Sequence, residues 1–112
     1  MWIASTLGFF SITISPEDGR AQFRARVNGD LEELRSFLME KGFALSETLT
    51  IPTADYRYRA FLDRSQLVEV LGCLAETIDY SNFKGEIANR PTQRHKLVSY
   101  HEVWASLFRL QE

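Results

Sequence analysis

The sequence predicts an α+β domain. The expected form is a two-layer sandwich, ferredoxin-like in style, with a four-stranded antiparallel sheet built from two strand–strand–helix units and helices at the C-terminus. Three observations predict it. Apolar residues alternate with a period of two in short segments bounded by turn residues. Each such pair of segments leads through a capping residue into a stripe of helical spacing. The two halves also superimpose at an offset of 33 residues.

Residues 8–42 form the first unit. Phe9 to Ser15 reads as a strand, with Phe10, Ile12 and Ile14 alternating against Phe9, Ser11 and Thr13. Pro16-Glu17-Asp18-Gly19 is a turn. Ala21 to Val27 returns, with Phe23, Ala25 and Val27 on one face and Gln22, Arg24 and Arg26 on the other. Asp30 is the expected N-cap of a helix, and Glu33 completes a capping box. Leu31, Leu34, Phe37 and Leu38 make its apolar side, and Lys41-Gly42 closes it.

Residues 43–79 repeat the plan. Ala44 to Ile51 and Tyr56 to Leu62 are the expected strands, joined by the turn Pro52-Thr53-Ala54-Asp55. Alternation puts Tyr56, Tyr58 and Ala60 inward and Arg57, Arg59 and Phe61 outward. Asp63 is the cap of a helix with the stripe Leu67, Leu71, Leu74 and Ile78. Over the first unit, Arg24 falls on Arg57, Arg26 on Arg59, Leu34 on Leu67 and Leu38 on Leu71. Two copies do not make a solenoid, so the repeat points to a pseudo-symmetric sandwich.

Residues 80–112 are the helical tail. The tail begins at Tyr80-Ser81-Asn82-Phe83-Lys84 with a short capped helix through Ala88, Asn89-Arg90-Pro91-Thr92 interrupts it, and a last helix covers residues 93–110. That helix has a dense stripe of Leu97, Tyr100, His101, Trp104, Leu107 and Phe108. A face of this kind needs a cover, either the outer sheet face or a partner chain.

A length of 112 residues suits a single domain with one core. The apolar share of 45% and charged share of 25% are ordinary for a globular protein. A net charge of −2 excludes bulk attraction of polyanions, so nucleic acid would need a local patch. The lone Cys73 cannot form an internal disulfide and reads as a core filler. Met1-Trp2-Ile3-Ala4 lacks a charged segment followed by an apolar core, so no signal peptide is expected, and no apolar run approaches the roughly 18 residues that span a bilayer. A cytoplasmic protein without membrane contact is expected.

Four arginines dominate the candidate chemistry. Arg24, Arg26, Arg57 and Arg59 share the outer sheet face, with Phe9 close by if the strands are neighbours. Guanidinium forks bind phosphate or carboxylate bidentately and stack on bases. Arginines beside aromatics on a sheet are a general means of holding single-stranded nucleic acid. The plain alternative is a solvated face whose arginines pair with Glu47 or Asp55. His101, Tyr100 and Asp79 are the candidates for acid–base catalysis; against that, a histidine on an apolar helix face is more often simply packed. His95 and His101 lie six apart, off the spacing of a helical metal pair, so no metal or cofactor is expected. The segment Asp79 to Lys84 either lines a pocket or is a capped turn anchored by Phe83.

Several stretches carry a resemblance: Met1-Trp2, Gly8-Phe9-Phe10-Ser11, Arg24-Ala25-Arg26, Asp55-Tyr56 with Tyr58-Arg59-Ala60, Ile78-Asp79-Tyr80 with Asn82-Phe83-Lys84, and Tyr100-His101 with Val103-Trp104. In these the chain resembles an uncharacterised family of small bacterial proteins. The resemblance implies a stand-alone bacterial protein and brings no mechanism.

The leading expectation is a non-enzymatic module holding a nucleic acid or nucleotide on the arginine face. Next stand a homodimer through the last helix and a small enzyme using His101, Tyr100 and Asp79. If the last helix covers the outer sheet face, the buried arginines would require carboxylates or a bound anion.

Overall fold

The computed structural model describes residues 1–112. The chain divides into two compact units, Met1–Ile78 and Asp79–Glu112. The first holds five strands, β1 (Trp2–Ser5), β2 (Gly8–Ile14), β3 (Ala21–Ala25), β4 (Leu49–Thr50) and β5 (Tyr58–Leu62), with helices α1 (Asn28–Glu40) and α2 (Leu67–Ala75). The strands form one sheet in the order β1-β2-β3-β5-β4, and every neighbouring pair is antiparallel.

The sheet therefore has five strands where four were expected. The additional strand, β1, lies against β2 with Trp2 opposite Ser11 and Ser5 opposite Gly8. Thr6 and Leu7 make the turn, which has no Asn-Gly or Asp-Gly signature. A side chain replaces that signature. Ser5 Oγ accepts from the amides of Leu7 and Gly8 and donates to the Gly8 carbonyl. At the other end of β1 the Met1 ammonium donates to the Ile12 carbonyl at 3.0 Å.

The Pro16–Gly19 turn forms as expected, with Gly19 at φ 74°. Asp18 accepts from the backbone and side chain of Arg20, which holds its carboxyl below the usual range.

Alternation places Phe10 and Ile12 of β2, Ala21, Phe23 and Ala25 of β3, and Ala60 and Leu62 of β5 on the inner face, all buried. Leu31, Leu34 and Leu38 of α1 and Val70 and Leu74 of α2 join them in one apolar cluster. A fully buried Leu or Phe contributes roughly 1.5–3 kcal/mol by leaving water.

Asp30 is not the cap of α1. The helix and its cap begin three residues earlier, at Asn28 and Val27, and Val27 offers no side-chain bond. Asp30 sits in the first turn, 2% exposed, and accepts from the amide of Phe9 at 3.1 Å. A carboxylate there suits the helix dipole and also ties α1 to the start of β2. Gly8 packs so closely on Asp30 that an added Cβ would collide with its carboxyl carbon. At the far end, the amides of Gly42 and Phe43 return to the carbonyls of Met39 and Leu38, with Gly42 at φ 89°. This is the double bond of a Schellman closure.

The expected strand from Ala44 to Ile51 is reduced to the two residues of β4. Ser46 takes over the ladder near its start: its amide donates to the Phe61 carbonyl, and its Oγ accepts from the Phe61 amide. Arg35 of α1 then donates to the Ser46 carbonyl and the Thr48 hydroxyl, both at 2.8 Å. Side chains thus satisfy groups that a neighbouring strand would otherwise pair.

The stripe of α2 is also shifted. Asp63 caps a single 3₁₀ turn, Arg64–Gln66, before the α-helix begins. That turn rephases the helix, so Val70 and Leu74 are buried while Ile78, past its end, is 64% exposed. Leu67 and Leu71 remain half-buried against the same core, while Val70 and Leu74 are its buried residues on α2.

In the second unit, Asn82 caps α3 (Phe83–Ala88) by accepting from the Gly85 amide. A 3₁₀ turn at Arg94–Lys96 leads into α4 (Leu97–Phe108), which starts later than the expected residue 93. Phe83 lies between Tyr80 and Tyr100, with ring centroids at 5.9 and 5.4 Å. No helix is long and apolar enough to cross a membrane.

Two glycines should respond in opposite ways. Gly8→Ala is expected to lose about 1–3 kcal/mol in urea unfolding, because the Asp30 carboxylate blocks the new methyl group. Gly72→Ala, in open surroundings inside α2, is expected to gain about 0.4–1 kcal/mol.

Candidate anion site on the outer sheet face

The antiparallel registers align one residue from each strand across the outer face. The row runs Trp2, Ser11, Arg24, Arg59, Leu49. Arg24 of β3 and Arg59 of β5 are direct cross-strand partners at the middle of the sheet. Like charges so placed oppose the pairing by a few tenths of a kcal/mol to about 1 kcal/mol.

Neutral groups hold these cations. Arg24 donates from Nη2 to Ser11 Oγ at 2.6 Å. Arg59 donates from Nη1 to Gln22 Oε1 and from Nε to the Tyr56 carbonyl, each at 3.3 Å. Gln22 in turn donates to Thr13 Oγ1 at 3.2 Å. Tyr56 supplies the packing surface. The Arg24 and Arg26 guanidinium carbons lie 4.8 and 4.0 Å from its ring centroid. Each such contact is worth about 0.5–2 kcal/mol, more as water is excluded, and Tyr56 is 4% exposed.

One carboxylate pairs with the cluster: Asp55 lies 3.9 Å from Arg59 Nη2 and is itself 70% exposed. Neither Arg24 nor Arg26 is in an ion pair, and the Arg24 Nε is buried without a hydrogen-bond acceptor. A buried donor left unpaired costs about 1–3 kcal/mol, more when it is charged. Three guanidiniums facing one exposed carboxylate can accept an anion by forked hydrogen bonds.

The expected residues are sorted by the structure. Arg24, Arg26 and Arg59 come together around Tyr56 and across the sheet. Arg57 does not join them. It precedes β5, its side chain is exposed, and its carbonyl accepts from the Ile51 amide. The bend at residues 54–56 breaks the alternation that had placed Tyr56 inward beside Tyr58. Phe9 lies on the outer face, edge-on to Trp2 with centroids 5.9 Å apart.

Tyr56 and Trp2 are the residues that sequence reasoning missed. The turn residues Pro52 and Asp55 shortly before Tyr56 were the available sign that alternation fails there. For Trp2 no turn signal existed.

The acid–base candidates lie in the second unit. His101 is exposed, not packed; its ring stacks on Trp104 at 5.6 Å, and its Nδ1 is 3.5 Å from Lys84 Nζ. Tyr100 faces Phe83 instead. Asp79 is exposed. Phe83 anchors a capped turn. Cys73 is half-buried in α2.

Comparison with protein-family models, curated proteins and solved structures finds no match.

Tyr56 should matter to stability through its ring and not through its hydroxyl. Tyr56→Ala is expected to cost about 3–5 kcal/mol in urea unfolding and Tyr56→Phe less than about 1 kcal/mol. A large loss in Tyr56→Phe would contradict ring packing as its role.

Proposed function

We propose that this chain is a small non-enzymatic binding module that holds an anionic ligand, a nucleic acid or nucleotide, on the outer face of its sheet. The carrying observation is the direct opposition of Arg24 and Arg59 with Arg26 stacked alongside, against the single exposed carboxylate of Asp55. Such a cluster resists folding on its own account, and a bound anion removes that resistance. The net charge of −2 fits recognition by a local patch and not by bulk attraction. A bacterial, cytoplasmic setting belongs to this reading, on the resemblance and the lone Cys73. So does a ferredoxin-like view of the two halves, in which the second strands of each half, β3 and β5, are neighbours in the sheet.

Charge reversal gives a test in which stability and binding separate. Arg24→Glu puts a carboxylate opposite Arg59 and exchanges repulsion for attraction. The variant should unfold at an equal or higher urea concentration. Its affinity for oligonucleotides and nucleotides should fall at least tenfold, and the salt dependence of binding should weaken. Unchanged binding in a folded variant would refute the reading.

A second reading, a homodimer through α4, is favoured by one observation. Trp104 and Phe108 are 53% and 57% exposed, and their rings meet at a tilt along their own helix, 5.6 Å apart, with Lys84 over the Trp104 ring. Light scattering over a dilution series should then show twice the chain mass, reduced to one by Trp104→Asp. A monomer at every concentration would exclude this reading.

A further inference from the structure

The arginine cluster explains an anion but leaves Trp2 unused. Trp2 heads the same cross-strand row and is 66% exposed, although it is the largest residue type and lies on a sheet. Its contact with Phe9 is edge-on, at an interplanar angle of 63°. Neighbouring strands stand about 4.8 Å apart, so the row puts Trp2 about 10 Å from Arg24 and about 14 Å from Arg59. Between them lies Ser11, 1% exposed, whose hydroxyl accepts from Arg24 and draws the guanidinium toward the Trp2 side.

We propose that the row Trp2–Ser11–Arg24–Arg59 is a track for single-stranded nucleic acid, with Trp2 stacking a base and the two arginines taking the phosphates. The inference rests on the anion-binding reading and names its ligand. Arg24 reaches over to Ser11, one strand from Trp2, so the longer span is the one from Trp2 to Arg59, three strand spacings or about 14 Å, beyond the single sugar that separates base from phosphate in a mononucleotide. A base on Trp2 and a phosphate at Arg59 therefore belong to successive nucleotides, with Arg24 between them. The same spacing selects against a duplex, whose bases are stacked on one another and cannot lie on an indole. Charge complementarity supports this occupant: the face offers three guanidiniums and one exposed carboxylate to a chain with one negative charge per nucleotide. Aromatic rings beside a cationic path are the general means of holding single strands without reading their sequence.

The sequence contains two tryptophans, so Trp104→Phe leaves Trp2 as the only indole. In that background of the full chain, a short oligouridylate should quench the Trp2 fluorescence on titration. Trp2→Ala should weaken oligouridylate binding about 5- to 100-fold. Trp2→Tyr, which keeps a stacking ring, should restore most of it. Inorganic tripolyphosphate, which has no base, should bind Trp2→Ala and wild type alike, and Arg24→Glu should lose both ligands. If tripolyphosphate binds but Trp2→Ala holds oligouridylate as tightly as wild type, the track is wrong and the anion site stands. Equal affinity for a duplex of the same sequence would also overturn the track. If neither tripolyphosphate nor oligouridylate binds, the anion site fails and the track with it.

Discussion

The pairing of β3 with β5 is the constraint on which the first unit depends. These two strands come from different halves of the chain, and no local turn joins them. Their register sets Phe23 against Ala60 and Ala25 against Tyr58 on one face. That closes the core in which α1 and α2 bury Leu34, Leu38, Val70 and Leu74. The same register sets Arg24 against Arg59 on the other face. Side chains alternate with a strict period of two, so a core-closing register fixes the outer pairs as well. The chain cannot choose its best inner contacts and its best outer electrostatics independently. Burial of several large apolar side chains outweighs one like-charge pair, so closing the core brings the arginines together.

The outer face accommodates that charge without cancelling it. Ser11 and Gln22 offer neutral acceptors, and the Tyr56 ring offers a polarisable surface on which two guanidiniums rest. None of these groups neutralises charge. Within the cluster only Arg59 meets a carboxylate, Asp55 at 3.9 Å, whereas in Arg20–Asp18, Arg35–Glu32 and Arg90–Glu86 every cation has its carboxylate at 3.2 Å or closer. The contrast within one small protein is the main physical reason for reading the outer face as a place for something else to bind.

Side chains also decide where the regular elements stop. Ser46 intercepts the edge ladder and shortens β4, Ser5 builds the first hairpin without turn glycines, and Asp30 leaves the helix cap to bond the Phe9 amide. All three are short polar side chains able to imitate a backbone group. Local patterns report their preference for turns and caps. They do not report which distant amide each one meets.

The period-two alternation of Phe10 to Ile14 and of Ala21 to Ala25, the stripe Leu31–Leu34–Leu38 and the glycine closure at Gly42 determined by themselves that this is an α+β chain with an arginine-bearing outer face. Those signals are local, because backbone geometry ties side-chain direction to spacing along the chain. Tertiary structure alone decided that β1 joins the sheet, that Tyr56 turns outward, that Arg59 and not Arg57 faces Arg24, and that Trp2 shares their row. Each of these depends on which strands become neighbours and in what register. Long-range pairing energies set that choice, and no stretch of sequence carries them alone.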